Sequence, residues 1–231
     1  MGASANGTAI LLMGGSCARM AASCGDKSLA PLAGKPAFLH SLLAIDASEM
    51  FSDVAIVVRD ETQRSEVERH IGTLNPHANV SYVQGGDSRQ KSVLNALLHA
   101  QRNHSDFALI HDAARPLITG EHLRSLLSAL DDHDAAILAH RATDTLVDVS
   151  NGGRSYLSRN TIWHVETPQI FKYQVILDAY LGAKGPLADD SSALPSSSKV
   201  KIIENFIPNI KITYPQDLAV VEALLSGSLV K

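Results

Sequence analysis

Along most of this chain, short β-branched apolar runs alternate with stretches whose apolar residues recur at helical spacing, a pattern few folds can satisfy. Ala9 to Met13 reads as a buried strand, and Pro36 stands where a helix can begin ahead of Phe38, Leu39, Leu42 and Leu43. Val54 to Val58 is a second strand, followed by a charged helix through about His70. Val80 to Val83 is a third, after which Asp87 or Ser88 can cap a helix bearing Val93, Leu94, Leu97 and Leu98. Phe107 to Ile110 is a fourth strand, Thr119 caps the next helix, and Ala135 to Ala139 is a fifth strand. Such alternation predicts an α/β fold with a mostly parallel, Rossmann-like sheet covered by helices on both faces. Ligands of these folds bind beyond the C-terminal ends of the strands, which directs attention to the loops after Met13, Val83 and Ile110.

The pattern changes between about 141 and 164. Thr145 to Val149 and Arg154 to Leu157 flank Ser150-Asn151-Gly152-Gly153, a hairpin signal. A lone two-stranded hairpin is marginal in water and needs a surface to pack on, in its own domain or across a dimer. Helix and strand signals resume after Phe171, near Val200 to Ile203, and after Pro215. With 231 residues and no internal repeat, residues 1–231 read as a single domain carrying a hairpin arm. A formal charge of −4 argues against a nucleic-acid partner, and no apolar run reaches the roughly 20 residues a membrane span requires. Met1 to Thr8 lacks a secretory pattern, and Cys17 and Cys24 have no partners at zinc spacing, so a reducing cytoplasm is expected.

Three loops can carry chemistry. Met13-Gly14-Gly15 followed by Arg19 and Lys27 is either a phosphate cradle or a tight turn. Gln84 to Ser92 holds another glycine pair and can be an ordinary strand-to-helix turn. His111-Asp112-Ala113-Ala114-Arg115-Pro116 places an acid and an arginine just past an apolar strand. There Asp112 can bind a polyol or metal and Arg115 can grip a phosphate, or the two can form a salt bridge within the loop. Lys211, between Ile210 and Ile212, is either a strand-edge charge or a phosphate ligand.

Taken in order, Gly85-Gly86-Asp87-Ser88-Arg89 with Ser92, His111 to Pro116, Arg159 to Gln169, and Asn209 to Thr213 with Pro215 and Asp217 resemble the IspD-type family, 2-C-methyl-D-erythritol 4-phosphate cytidylyltransferase. The likeness runs from Ile10 to about Leu225. It implies a sheet of the nucleotide-diphospho-sugar transferase type with a protruding hairpin arm. It also implies transfer of CMP from CTP to a sugar-alcohol phosphate, with release of pyrophosphate, in non-mevalonate isoprenoid precursor synthesis. By this resemblance Gly14 and Gly15 hold the triphosphate, with Arg19, Lys27 and Lys211 as the catalytic cations. Gly86, Asp87, Ser92 and Ala113 recognise cytidine, and Asp112, Arg115 and Thr167 contact the acceptor. Thr145 and Arg159 complete the acceptor site of a neighbouring subunit in a homodimer. Mg²⁺ bridges phosphate oxygens with little protein ligation, and His111 is structural. The CDP-ribitol-forming branch shares most of these loops and stands as the alternative. So does a CTP-binding protein with weakened catalysis, because Ser16 to Arg19, Gly25-Asp26-Lys27-Ser28 and Ala188-Asp189-Asp190 depart from the family pattern and Asp26 sets a negative charge beside Lys27.

Overall fold

Side chains of β1 (Gly7–Leu12) are buried on both faces and, Thr8 aside, apolar, as a strand covered from both sides must be. Residues 6–13, 26–150 and 152–227 are described by the computed structural model. After β1 come a small hairpin, β2 (Pro31–Leu32) and β3 (Lys35–Pro36), and the helix α1 (Ala37–Asp46). Then follow β4 (Asp53–Val58), α2 (Glu61–Ile71), β5 (Asn79–Gln84), α3 (Arg89–Ala100), β6 (Phe107–Asp112), α4 (Gly120–Ala129) and β7 (Ala135–Arg141). The rest comprises β8 (Leu146–Asp148), β9 (Ser155–Leu157), β10 (Trp163–Lys172), α5 (Tyr173–Gly182), β11 (Val200–Glu204) and α6 (Pro215–Leu225).

Among the described residues, seven strands form one sheet in the order β11-β7-β10-β6-β1-β4-β5. All pairings are parallel except those of β10, which runs antiparallel to both β6 and β7. The chain moves outward from β1 through β4 to β5, then returns to place β6 on the other side of β1. That reversal opens a crevice between the carboxyl ends of β1 and β6, where open α/β sheets bind ligands.

Alternate residues feed two cores. Ala9, Leu11, Val54, Ile56 and Leu109 pack with Phe38 and Leu42 of α1, Val67 of α2 and Leu123 of α4. Ile10, Val57 and Ile110 face the opposite way, onto Val93 and Leu97 of α3 and Ile176 and Leu177 of α5. Helix starts are capped locally. Asp60 accepts from Gln63 N–H and Ser88 from Lys91 N–H, and Thr119 forms a capping box with His122. Asp217 in the first turn of α6 accepts from Thr213 N–H at 2.7 Å and Tyr214 N–H at 2.8 Å.

The structure departs from the sequence expectations in three places and adds a strand, β10, for which they made no provision. β6 extends through His111 and Asp112, which are therefore its last residues rather than loop. Thr167-Pro168-Gln169 lies inside β10, where a register shift between Val165 and Gln169 gives Pro168 a place without a ladder bond. Asn209 to Thr213 is not a strand; Ile212 N–H donates to the Ala114 carbonyl at 2.8 Å, and Ile212 packs with Leu32 and Val221. The arm hairpin is shorter than its sequence signal. Its strands β8 and β9 pair with each other, and all but Leu146 are exposed. No helix among the described residues is long and apolar enough to cross a membrane.

Candidate active site

A cleft of about 370 Å³ opens at the β1/β6 crevice, within the range of small-molecule sites. Lys27, Gly86, Asp87, Ser92, Asp112 and Lys211 are among the residues lining it. Four segments that the sequence spreads from Lys27 to Lys211 thus meet at one place. Gly14, Gly15 and Arg19 lie outside the described residues.

Gly86 is required by packing. A Cβ there would stand 2.3 Å from Lys91 Cγ and 2.5 Å from Lys91 Cβ. The Gly86 N–H donates to Ser92 Oγ at 3.0 Å, and that hydroxyl donates to the Ser88 carbonyl at 2.8 Å, so the turn is closed onto the start of α3. Ala113 is fully buried with its N–H donated to the Leu12 carbonyl at 3.0 Å; the alanine side chain on the cleft wall belongs to Ala114.

Asp112 is the electrostatic centre. Its Oδ2 lies 2.5 Å from Lys211 Nζ and its Oδ1 3.4 Å from Arg89 Nε. Burial opposes the charge on Asp112. The Arg89, Lys211 and Arg115 cations outweigh that cost and hold the carboxyl well below the usual carboxylate range. Asp112 N–H donates to Thr167 Oγ1 at 3.0 Å, and Thr167, 5% exposed, also lies 3.2 Å from His111 Nδ1. Thr167 therefore reaches the cleft through Asp112, which it anchors. His111 is fully buried, and its Nε2 is 3.1 Å from the Arg115 carbonyl. That oxygen can only accept, so Nε2 carries the proton and the Thr167 hydroxyl donates to Nδ1. Burial pushes the His111 pKa down to about 3, which leaves a neutral ring supporting the strand end.

Lys27 also lines this cleft. The neighbouring Asp26, a charge expected to oppose it, turns away: its carboxylate takes bonds from Arg59 Nη1 at 3.2 Å and Gln63 Nε2 at 2.5 Å. Gln63, 1% exposed, also reaches the Met13 carbonyl at 3.4 Å, so one buried side chain ties together the two residues that border 14–25.

A second cleft, about 460 Å³, lies on the other side of Lys211 and is lined by Arg115, His140, Glu166 and Asn209 as well. Arg115 Nη1 donates to the Asn209 carbonyl at 2.7 Å, while its buried Nε has no hydrogen-bond partner. Burial lowers the Arg115 pKa, and the charges of Asp112 and Glu166 oppose that shift. Glu166 accepts from Asn205 Nδ2 at 2.8 Å and Asn209 Nδ2 at 3.0 Å, and lies 2.7 Å from His140 Nδ1. This network fixes the irregular segment that carries Lys211. Thr145 and Arg159 are exposed, on and just after the arm, and line neither cleft; Arg159 Nη1 donates to the Thr143 carbonyl at 3.2 Å.

Sequence reasoning assigned no role to Gln63, Arg89, Glu166 or Asp190. Only Arg89 leaves a signal there, as a cation opening a helix where an acid is preferred. Chemically, the arrangement offers an electropositive junction between two clefts, suited to bringing two anionic molecules together.

Comparison with known proteins accords with this geometry. Residues 8–227 match the family model described as IspD: 2-C-methyl-D-erythritol 4-phosphate cytidylyltransferase. A protein of that name from Aquifex aeolicus is 35% identical over 223 residues, covering 94% of this chain and 97% of its own. Another, from Geobacillus thermodenitrificans, is 34% identical and covers 97% and 99%. Among solved structures, the 4-diphosphocytidyl-2C-methyl-D-erythritol synthase of Anaerococcus prevotii superposes with a TM-score of 0.83 at 23% identity, covering 96% of this chain and 97% of that one. That likeness bears on the fold. From the family match and the near-full-length relatives, the chain belongs to the IspD family of 2-C-methyl-D-erythritol 4-phosphate cytidylyltransferases.

Proposed function

We propose that this protein joins the CMP portion of CTP to 2-C-methyl-D-erythritol 4-phosphate, releasing pyrophosphate, as a step of isoprenoid precursor synthesis. The observation that carries the reading is the place of Lys211: it stands on the wall common to both clefts, with Asp112 on one side and Arg115 on the other. CTP occupies the first cleft, with cytidine against Gly86, Asp87, Ser92 and the Ala113-Ala114 turn and its phosphates toward Lys27. The acceptor lies toward Arg115 and Asp112.

A phosphate monoester is largely dianionic near pH 7, so no general base is needed. The acceptor oxygen attacks the α-phosphorus, one phosphorus–oxygen bond forms, the bond to the β-phosphate breaks, and pyrophosphate leaves with the electron pair. Catalysis is then positioning plus stabilisation of charge on the phosphoryl oxygens by Lys27, Lys211 and, in the same reading, Arg19.

Mg²⁺ fits this site as a companion of the triphosphate. Among the described residues no group of three or more His, Cys, Asp and Glu can hold a metal, and Asp112 is already engaged by two cations. Phosphate oxygens and water would be its main ligands, with Asp87 and Asp112 the nearby carboxylates of the cleft, which suits an ion that keeps much of its hydration. When bound it neutralises charge on the phosphates.

We read residues 1–231 as one nucleotidyltransferase domain working as a homodimer in the cytoplasm. Support for the dimer is the arm, where Val147, Tyr156 and Leu157 are exposed on a hairpin too small to be stable alone. Pairing through it would bring Thr145 and Arg159 to the partner's acceptor cleft. Mass spectrometry of a reaction containing CTP, Mg²⁺ and methylerythritol phosphate tests the function. A product of CMP linked to the acceptor supports it, and CTP binding without product from this or any polyol phosphate overturns it.

A further inference from the structure

Asp190 lies in the segment between α5 and β11, is fully buried, and has no place in the chemistry above. Both of its oxygens are used. Oδ1 accepts from Arg89 Nη1 at 2.7 Å and from the Tyr180 hydroxyl at 2.5 Å, and Oδ2 accepts from Arg89 Nη2 at 2.6 Å. The segment is itself held in place. Gln169, 1% exposed on β10, donates from Nε2 to Asp189 Oδ2 at 2.9 Å and accepts at Oε1 from Ser191 N–H at 3.2 Å.

This fork consumes the two terminal nitrogens of Arg89 and leaves Nε facing the cleft, 3.4 Å from Asp112 Oδ1. The other oxygen of Asp112 holds Lys211. Charges therefore alternate along one line, Asp190, Arg89, Asp112, Lys211, anchored at one end by a carboxylate that cannot move and ending at the junction of the two clefts. Only a planar guanidinium can bond two partners from different edges in this way; a lysine cannot.

Two further facts argue that the line serves position rather than stability. α3 starts with Arg89 and Lys91 and has no acid in its first turn, which opposes the helix dipole. An ion pair with one member fully buried, as here, where Asp190 is 0% and Arg89 39% exposed, is also commonly no more stabilising than apolar side chains of the same volume. A helix start that carries cations against its dipole, steadied by a buried acid, is what a site for anionic substrates requires.

We infer that Asp190 is a positioning residue of the transfer reaction, acting through Arg89 to set Asp112 and, through Asp112, Lys211. The inference rests on the reaction proposed above. Without the Arg89 edge, the charge of Asp112 falls on Lys211, already 2.5 Å away, and holds it back more strongly from the phosphoryl oxygens. Misplacement of a catalytic cation by about an ångström costs roughly a hundredfold in rate.

The test compares Asp190→Asn, Arg89→Lys and the double variant Arg89→Met/Asp190→Leu with the native enzyme. It reads kcat and KM for pyrophosphate release, together with thermal melting. Arg89→Lys and the double variant are expected to fold and to lose kcat by about 10- to 100-fold, with KM for CTP changed less. The double variant removes both charges together, so it is expected to melt close to the native protein even where Asp190→Asn alone does not fold. A folded double variant or Arg89→Lys variant within about threefold of native kcat, or one whose loss lies in KM for CTP with kcat unchanged, overturns the inference. Native enzyme that releases no pyrophosphate from CTP and methylerythritol phosphate overturns the assigned reaction and the inference with it.

Discussion

Replacing Lys211 by alanine should remove catalysis while barely touching the fold, and the size of each effect follows from where the side chain sits. Lys211 Nζ is 2.5 Å from Asp112 Oδ2, yet 39% of the lysine side chain remains exposed. At an effective dielectric of about 20, two unit charges 4 Å apart attract by roughly 4 kcal/mol. Solvent at a side chain this open reduces the net worth of such a pair to about 1 kcal/mol. Asp112 keeps Arg89 as a counter-ion, so no buried charge is left alone. For a domain of this size, about 1 kcal/mol corresponds to a melting shift of roughly 2–4 °C. Turnover is different. A preorganised charge aimed at the oxygens of a transition state is worth about 10²- to 10³-fold in kcat, or ~3–4 kcal/mol. Because that contact strengthens only as the phosphoryl group transfers, kcat and kcat/KM should fall together. Continuous pyrophosphate release, with circular-dichroism melts on the same preparations, reads both quantities. A Lys211→Ala protein keeping more than about a tenth of native kcat refutes the assignment. So does one whose lost activity is accompanied by unfolding, since the residue would then be structural.

His111 makes a pH prediction. The folded protein keeps this ring neutral down to about pH 3, whereas an unfolded chain takes up the proton below its ordinary value of 6.5. Between those limits the unfolded state binds more protons, so stability falls on acidification by up to ~1.4 kcal/mol per pH unit. His111→Gln, whose amide can still donate to the Arg115 carbonyl, should flatten that slope in urea titrations run at pH 7, 5.5 and 4.5; parallel curves for both proteins contradict the buried neutral ring. Gly86→Ala forces a Cβ onto Lys91 and should destabilise by about 1–3 kcal/mol while raising KM for CTP well above its effect on the acceptor. Equal KM values for native and variant contradict the placement of this turn against the nucleotide. On the proposed pairing through the arm, Tyr156→Glu at this exposed site should give a monomer in sedimentation where the native protein is a dimer, and abolish turnover with it; a monomeric native protein or a fully active monomeric variant removes any need for Thr145 and Arg159 from a neighbour.

Most of the sheet is legible in the sequence because parallel strands covered on both sides must be continuous apolar runs, and Ala9 to Met13, Val54 to Val58 and Phe107 to Ile110 are such runs. β10 escapes that reading. Its first three residues and its last are exposed or half-buried, Pro168 interrupts it, and its antiparallel insertion between β6 and β7 depends on neighbours distant in sequence. Ile210 and Ile212 mimic strand alternation, yet the backbone there is irregular and held through Asn209, whose amide bridges Glu166 and the Thr167 carbonyl. Loop residues that line the cleft carry their own local signals of glycine, caps and charge. Their supports do not, because an ion pair such as Arg89 with the buried Asp190 joins positions 101 apart, and nothing local marks either partner as needing the other.

The central claim is that CTP and methylerythritol phosphate meet across Lys211. It is tested most directly by kcat/KM for pyrophosphate release, measured with CTP, UTP and ATP each crossed with methylerythritol phosphate and ribitol 5-phosphate. The account predicts that CTP with methylerythritol phosphate exceeds every other pairing by at least about tenfold, a difference of ~1.4 kcal/mol in transition-state binding. A preference for ribitol phosphate, or equal rates with all three nucleotides, contradicts it.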